Sequence, residues 1–466
     1  MKKTALAEAI RNTIAELKVI VEPDAMARYG TDWTSAYTPN PIAVVLPKKV
    51  EEVQAIVRFA RQHKLALVPS GGRTGLSGGA VAAGGELVVA FDRMDKIGPV
   101  NTLEQTVVCQ AGVVTAHLQQ CAEQHGLLYP VDFASSGSSQ IGGNISTNAG
   151  GIKVMRYGMT RQWVAGLTAV TGAGDIVRLN SSLSKNNTGY DLSQLFIGAE
   201  GTLGFVVEAV MRLTRQPRNL SVILLAAPNS SALASTLQLF RQTIELTACE
   251  FFSEQALRYV VDKGLATHPF ASSSPFYALM EFESDEGQML EPVMALFEQA
   301  VQKGWVNDGV ISQNSSQYHS LWRCRECIGE AIAHRRPHKN DIAVPLSKLP
   351  QFFEAVPTVV RQAYADCEVI WFGHLGDGNI HLNVLKPDSW SQEIFAQHCH
   401  DVNQQIFAIV QQLGGSISAE HGVGLAKKGD LHYSRTTQEI DLMRAIKQVF
   451  DPDGIMNPGK IFDSTA

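Results

Sequence analysis

Leu65-Ala66-Leu67-Val68-Pro69 runs directly into Ser70-Gly71-Gly72-Arg73-Thr74-Gly75-Leu76-Ser77-Gly78-Gly79. The first five residues read as a short buried strand. The ten that follow hold five glycines, hydroxyl side chains and one arginine. Glycine lets main-chain N–H groups come close to a bound anion, so this stretch reads as an anion cradle built from backbone. No Gly-Lys-Ser/Thr follows, which excludes a Walker loop, and the spacing is not the Rossmann G-x-G-x-x-G. Upstream, residues 42–47 read as another strand, and residues 50–63 carry Val53, Ile56, Val57, Phe59 and Ala60 at helical spacing. Strand, helix, strand predicts a β-α-β unit with a parallel strand pair.

Working outward, residues 86–91 and 106–110 read as strands and residues 114–125 as a helix. A second glycine-rich stretch covers residues 132–151 and includes Asp132, Gly137, Ser138, Gly142, Gly143, Asn144 and Thr147. Its ordered Ile141, Asn144, Ile145 and Asn148 set it apart from a flexible linker. A third, residues 197–206, holds Glu200, Gly201, Gly204 and Val206 between strands predicted at 167–171 and 205–213. Three such loops in one domain suggest a large ligand lined by main chain, and a dinucleotide fits. The glycine-rich character stops near Gln216, which sets a domain boundary at residue 217. Before it, residues 1–35 read as a helical lead-in, with a helix at 5–17. Beyond it come strands at 221–226 and 277–282 and helices at 231–243, 288–303 and 441–450.

A second kind of chemistry appears at Trp371-Phe372-Gly373-His374-Leu375-Gly376-Asp377-Gly378-Asn379-Ile380-His381-Leu382-Asn383. Apolar residues flank the Gly-Asp-Gly turn, so two strands joined by a hairpin are expected, with the two imidazoles brought together. Ser418-Ala419-Glu420-His421-Gly422-Val423-Gly424 adds a carboxylate and a third histidine. Two His and one carboxylate are a zinc set that leaves one position open. Glu420 is the natural third ligand to His374 and His381, and His421 is then placed to act as a general base.

The chain has 466 residues, too many for one core, so two or three domains are expected. A net charge of -6 argues against broad nucleic-acid binding. Seven scattered cysteines are no disulfide framework and suit a reducing cytoplasm. Cys324 and Cys327 form one C-x-x-C, read as packing within a helix-like segment at 321–332. Glu8, Arg11, Glu16 and Lys18 interrupt the start of the chain, which excludes a signal peptide, and no run reaches the roughly 20 apolar residues of a membrane span.

In chain order, residues 69–79, 137–151, 198–204, 373–384, 418–424 and 457–461 match one pattern. The chain resembles the FAD-linked D-2-hydroxyacid dehydrogenases of the vanillyl-alcohol oxidase type, over roughly residues 35 to 463. Within them it is most similar to the D-2-hydroxyglutarate dehydrogenases; D-lactate dehydrogenases and the glycolate oxidase D subunit are relatives. The resemblance implies an α+β fold: a two-lobed FAD-binding domain of PCMH type over 36–217, then an α+β FAD-linked oxidase C-terminal substrate domain over 218–466. It implies non-covalent FAD held by Pro69, Ser70, Gly71, Gly72, Arg73, Thr74, Gly75, Gly78, Asp132, Gly137, Ser138, Gly142, Gly143, Asn144, Thr147, Glu200, Gly201, Gly204, Val206 and Asn457. It also implies Zn2+ or another divalent metal on His374, His381 and Glu420, His421 as catalytic base, and substrate contacts from Arg325, Lys339, Asn383 and His421.

An arginine grips a carboxylate by two parallel bonds, which suits a dicarboxylate such as D-2-hydroxyglutarate or D-malate. Where some relatives have a threonine four residues after that arginine, this chain has Gly329, which puts the substrate in question. Rival readings are a D-lactate or glycolate dehydrogenase, a zinc hydrolase, and a non-enzymatic nucleotide-binding module. An electron-transfer flavoprotein or a quinone is the expected electron acceptor, and a homodimer is an expectation of the resemblance alone.

Overall fold

The computed structural model describes residues 3–34, 36–284 and 290–463. The chain divides into two compact units. The first comprises Met1–Gly150, Gly158–Gln216 and Glu420–Ala466; the second comprises Gly151–Tyr157 and Pro217–Ala419. The expected C-terminal domain over 218–466 therefore spans the second unit from Pro217 and the last segment of the first. The tail from Glu420 belongs with the first unit because Ile455 and Met456 are buried in its core.

In the first unit, β1 (Lys18–Ile20), β2 (Ala43–Leu46), β3 (Leu67–Ser70) and β4 (Leu87–Ala90) form a sheet in the order β1-β2-β4-β3. The helix Val50–His63 covers it, with Val53, Ile56, Val57, Phe59 and Ala60 buried. β2 and β3 are not neighbours, as the β-α-β pattern suggested. Each pairs in parallel with β4, which lies between them. The lead-in is no separate segment: Leu6, Ala7 and Ile10 of the helix Lys3–Thr13 lie in the same core, and β1 pairs with β2.

A second sheet of β5 (Thr106–Gln110), β7 (Val164–Thr171), β8 (Ile176–Asn180) and β9 (Gly204–Arg212) is antiparallel in the order β5-β9-β7-β8, and the short β6 (Leu127–Leu128) and β10 (Thr214–Arg215) form a ribbon. Inside the second glycine-rich stretch stands a helix, Ile141–Thr147. Gly142 is required there, because a Cβ would press on Ala111.

In the second unit, β11 (Leu220–Ala227), β12 (Leu246–Ser253), β13 (Phe276–Glu283), β14 (Asp308–Ile311), β15 (His338–Ala343), β16 (Glu368–His374) and β17 (Asn379–Leu385) form one antiparallel sheet in the order β14-β11-β13-β12-β16-β17-β15. The expected hairpin is β16–β17, turned by Gly378 at φ +81°. The predicted helix at 321–332 is two helices, Ser315–Glu326 and Ile328–Ile332, separated at Cys327. The helix predicted from residue 288 runs Leu290–Gln302; residues 288 and 289 lie outside the described residues. Among the described residues, no helix is long and apolar enough to cross a membrane.

Candidate active site

In the first unit the three glycine-rich segments surround a cavity of about 900 Å³, part of it open to solvent. Of the residues expected to hold a cofactor, Pro69, Gly71, Gly72, Arg73, Thr74, Gly75, Gly142, Gly143, Asn144, Thr147, Glu200, Gly201, Gly204 and Val206 line it. Ser70, Gly78, Asp132, Gly137, Ser138 and Asn457 are not on its wall. Ser70 and Asn457 are buried, and Gly137 and Ser138 are exposed. The Ser138 carbonyl packs where a Cβ on Gly72 would stand, so one loop seats the other. Arg73 is not an unopposed cation: its guanidinium forks onto Asp92 at 3.0 and 3.2 Å and lies 4.9 Å over the Tyr29 ring. The cradle is therefore backbone in character. Ser77, Gln140 and His421 also line the cavity, and His421 was expected as a base and substrate contact rather than beside the cofactor.

The loop that carries His421 is tied to this cradle. Glu200, buried, accepts from the N–H of Val423 at 2.7 Å and of Gly424 at 2.8 Å. Burial raises the Glu200 carboxyl above the usual range, and the two amide bonds oppose that shift. The Ser77 hydroxyl donates to the carbonyls of His421 at 2.8 Å and Gly422 at 2.9 Å. Asn457 Nδ2 donates to the carbonyls of Gly79 and Glu200. Asn457 thus braces two cavity loops from behind. Glu200 has a second task beyond the wall it forms: it fixes the backbone beside His421.

In the second unit, one face of the sheet is polar where a core would be apolar. The register sets Glu250 opposite His374, Phe372 opposite His381, Asp341 opposite His381 and Lys339 opposite Asn383. Paired residues of adjacent strands share a face. The His374 and His381 rings stand 5.1 Å apart, nearly perpendicular. His374 Nδ1 lies 2.8 Å from Glu250 Oε1, and His381 Nδ1 lies 3.7 Å from Asp341 Oδ1. Ionised carboxylates only accept, so the Nδ1 of His374 carries a proton, and in the neutral ring the lone pair that a metal requires is then on Nε2. The donor chemistry thus fits a metal.

From the helix Ser315–Glu326, Arg325 reaches Glu250 Oε2 at 2.8 Å and covers the Phe372 ring at 4.8 Å. Arg325 Nε and Asn383 Nδ2 are buried with no protein partner. Lys339 is exposed as a residue, yet desolvation of its ammonium lowers its pKa. Asp341 also pairs with Ser418 in an isolated bridge, and its carbonyl accepts the Ala419 N–H at 3.2 Å. Glu420 is the next residue in the chain.

Two family models match the chain: FAD binding domain over residues 41–180, and FAD linked oxidases, C-terminal domain over residues 216–461. D-2-hydroxyglutarate dehydrogenase of Stutzerimonas stutzeri is 55% identical over 462 residues, covering 99% of this chain and 100% of the relative. D-2-hydroxyglutarate dehydrogenase of Xanthomonas citri pv. viticola is 49% identical, covering 98% and 96%. This chain belongs to the FAD-linked D-2-hydroxyacid dehydrogenases. A solved structure of p-cresol methylhydroxylase with substrate bound superposes with a TM-score of 0.76 at 14% identity, covering 99% of this chain and 97% of that one, a likeness of fold.

The chain is thus an FAD-dependent dehydrogenase acting on a CH–OH donor, on the two-domain α+β fold of this family. The first-unit cavity fits FAD. A Cβ on Gly143 would meet nothing within 4 Å, so the cavity wall is open there. Gln140 Oε1, on that wall, is a buried acceptor with no partner, as a ligand N–H requires. Sequence reasoning missed Glu250, and it placed Ser77 in the cradle without its bonds to the His421 loop. The signal for Glu250 was present: a lone carboxylate in the apolar strand Leu246–Ser253.

Proposed function

We propose that this dehydrogenase oxidises D-2-hydroxyglutarate to the 2-oxo acid. The observation that carries this reading is the pair of buried donors without protein partners, Arg325 Nε and Asn383 Nδ2, on the histidine-bearing face of the second unit. Buried donors are left unpaired at a cost of about 1–3 kcal/mol each, so a site with two is built for an acceptor-rich ligand. A guanidinium, an exposed lysine and a carboxamide suit a substrate with two carboxylates better than one with a single carboxylate. The relatives' names agree with that choice.

FAD, when bound, supplies the acceptor for the C2 hydride. A divalent metal, zinc by donor type, when bound on His374, His381 and Glu420, would supply Lewis acidity that lowers the pKa of the substrate hydroxyl. His421 takes the hydroxyl proton. Arg325 and Lys339 hold the distal carboxylate, and Asn383 donates to the substrate. Electrons then leave the protein to an electron-transfer flavoprotein or a quinone.

The test is anaerobic. The protein is mixed with D-2-hydroxyglutarate, D-malate or D-lactate, and the oxidised-flavin absorbance is followed with and without prior chelation. Bleaching by D-2-hydroxyglutarate that chelation abolishes is the expected result. Gly329 is exposed on the helix beyond Cys327, not on the helix of Arg325, so the absence of a threonine there does not alter the site; slower bleaching by D-malate, also a dicarboxylate, is expected as well. Bleaching by D-lactate but not by D-2-hydroxyglutarate would overturn the substrate assignment.

A further inference from the structure

Glu250 is fully buried on β12, among Leu246, Ala248, Cys249, Phe251 and Phe252. An isolated carboxylate at such depth costs several kcal/mol, so its partners must be worth the placement. It has two, on different elements. His374 on β16 is its cross-strand neighbour, with Nδ1 2.8 Å from Oε1 and 2.9 Å from Oε2. Arg325 arrives from the helix above, with Nη2 2.8 Å from Oε2. The nearby Glu281, equally buried, shows what a purely structural carboxylate looks like here. It is satisfied by Lys153, Thr247, Tyr318 and Trp322, none of which has a part in the proposed chemistry.

We propose that Glu250 is a positioning residue that serves two functional groups at once. It holds the His374 ring with Nε2 as the metal-facing nitrogen, and it holds the Arg325 guanidinium so that Nε is left for a substrate oxygen. This rests on the reading of His374 as a metal ligand and Arg325 as a carboxylate binder. A carboxylate behind a ligating imidazole fixes tautomer and orientation and raises its basicity. One behind a guanidinium fixes the plane of its donor fork. Because both bonds end on the same carboxylate, metal affinity and dicarboxylate recognition depend on one residue.

The experiment uses the full-length, FAD-loaded protein as wild type, Glu250→Gln and Glu250→Asp. Glu250→Asp keeps the charge opposite Arg325, so it folds if the glutamine variant does not, and it is one methylene too short to meet both partners as Glu250 does. Zinc affinity is measured by competition with a chromogenic chelator, KM and kcat are measured for D-2-hydroxyglutarate, and melting is followed by flavin release. Expected are zinc affinity weaker by about 10- to 100-fold and a raised KM in the same variants. Variants that melt earlier but keep wild-type zinc affinity and KM would reduce Glu250 to a structural ion pair. Weakened zinc affinity with an unchanged KM would overturn the shared role. A wild type that takes up no divalent metal would overturn the proposal together with the metal reading, and is told apart because it appears before any substitution is made.

Discussion

Ser77 has a single hydroxyl proton within reach of two carbonyls, those of His421 and Gly422. The bond contributes about 1 kcal/mol net, too little to decide folding but enough to shift a loop. Ser77→Ala is expected to retain FAD at wild-type stoichiometry while flavin reduction by D-2-hydroxyglutarate slows several-fold. Stopped-flow absorbance checks this, and an unchanged rate would mean that the hydroxyl does not place His421.

At Asp32 the same loop is held from the other side. Its Oδ2 accepts the Gly78 N–H at 2.9 Å, and burial raises its carboxyl from the usual 3.8, against the hydrogen bonds from Thr34 and Gly78. A carboxyl raised on folding contributes stability that is complete below its unfolded pKa and is lost as pH rises through the folded value. Asp32→Asn removes this titration and replaces one of the two acceptor oxygens that serve Gly78 and Thr34 by an NH2 group, a loss that does not vary with pH. The melting-temperature gap between wild type and variant should therefore narrow as pH rises from the ordinary aspartate value toward neutrality. A gap of constant width would sink the assignment.

At the scale of elements, the β16–β17 hairpin does the most to assemble chemistry, and its turn depends on Gly378. That residue sits at φ +81°, and a Cβ there would land on the Val344 carbonyl. Gly378→Ala should cost more than about 1 kcal/mol. Its melting temperature should fall, and metal uptake should weaken with it, because the turn sets the separation of His374 and His381; a variant that melts and binds metal like wild type would show that the turn relaxes freely. This hairpin was legible in the sequence because alternation and a Gly-Asp-Gly turn are local signals. The helix Ile141–Thr147 was not, because Gly142 and Gly143 are poor helix formers and the reason for Gly142 is a contact with Ala111, distant in sequence. The placement of β4 between β2 and β3 was equally hidden, since strand order is a property of pairing, which no local window contains. Candidate site residues were legible by type and spacing; what each side chain holds, as Glu200 holds the amides beside His421, was not.

The chain as a whole enters and leaves the first unit more than once, and the glycine-rich character that fixed a boundary near residue 217 says nothing about the return at Glu420. That return completes the first unit. The Leu67 N–H donates to the Ile455 carbonyl and the Asn457 N–H to the Leu67 carbonyl, each at 2.8 Å, so the tail continues the hydrogen bonding of β3 just ahead of the cradle. Asp451, fully buried, accepts the N–H groups of Ile455 and Met456 at 3.0 and 2.9 Å and pairs with Lys447 at 2.7 Å, which shapes the tail for that role. Asn457 then reaches the carbonyls of Gly79 and Glu200. A chain ending at residue 419 loses these bonds, the burial of Ile455 and Met456, and the segment that carries His421. It should emerge without flavin absorbance even when residues 41–180 are intact. Asp451→Asn in the full chain keeps the length and weakens only the brace: the uncharged amide leaves Lys447 without a carboxylate, and Lys447 already has its pKa lowered by burial. That variant should lose FAD on dilution faster than wild type, read as the rise of free-flavin fluorescence. Yellow protein at wild-type stoichiometry from the shortened chain would mean that the cradle stands without its tail.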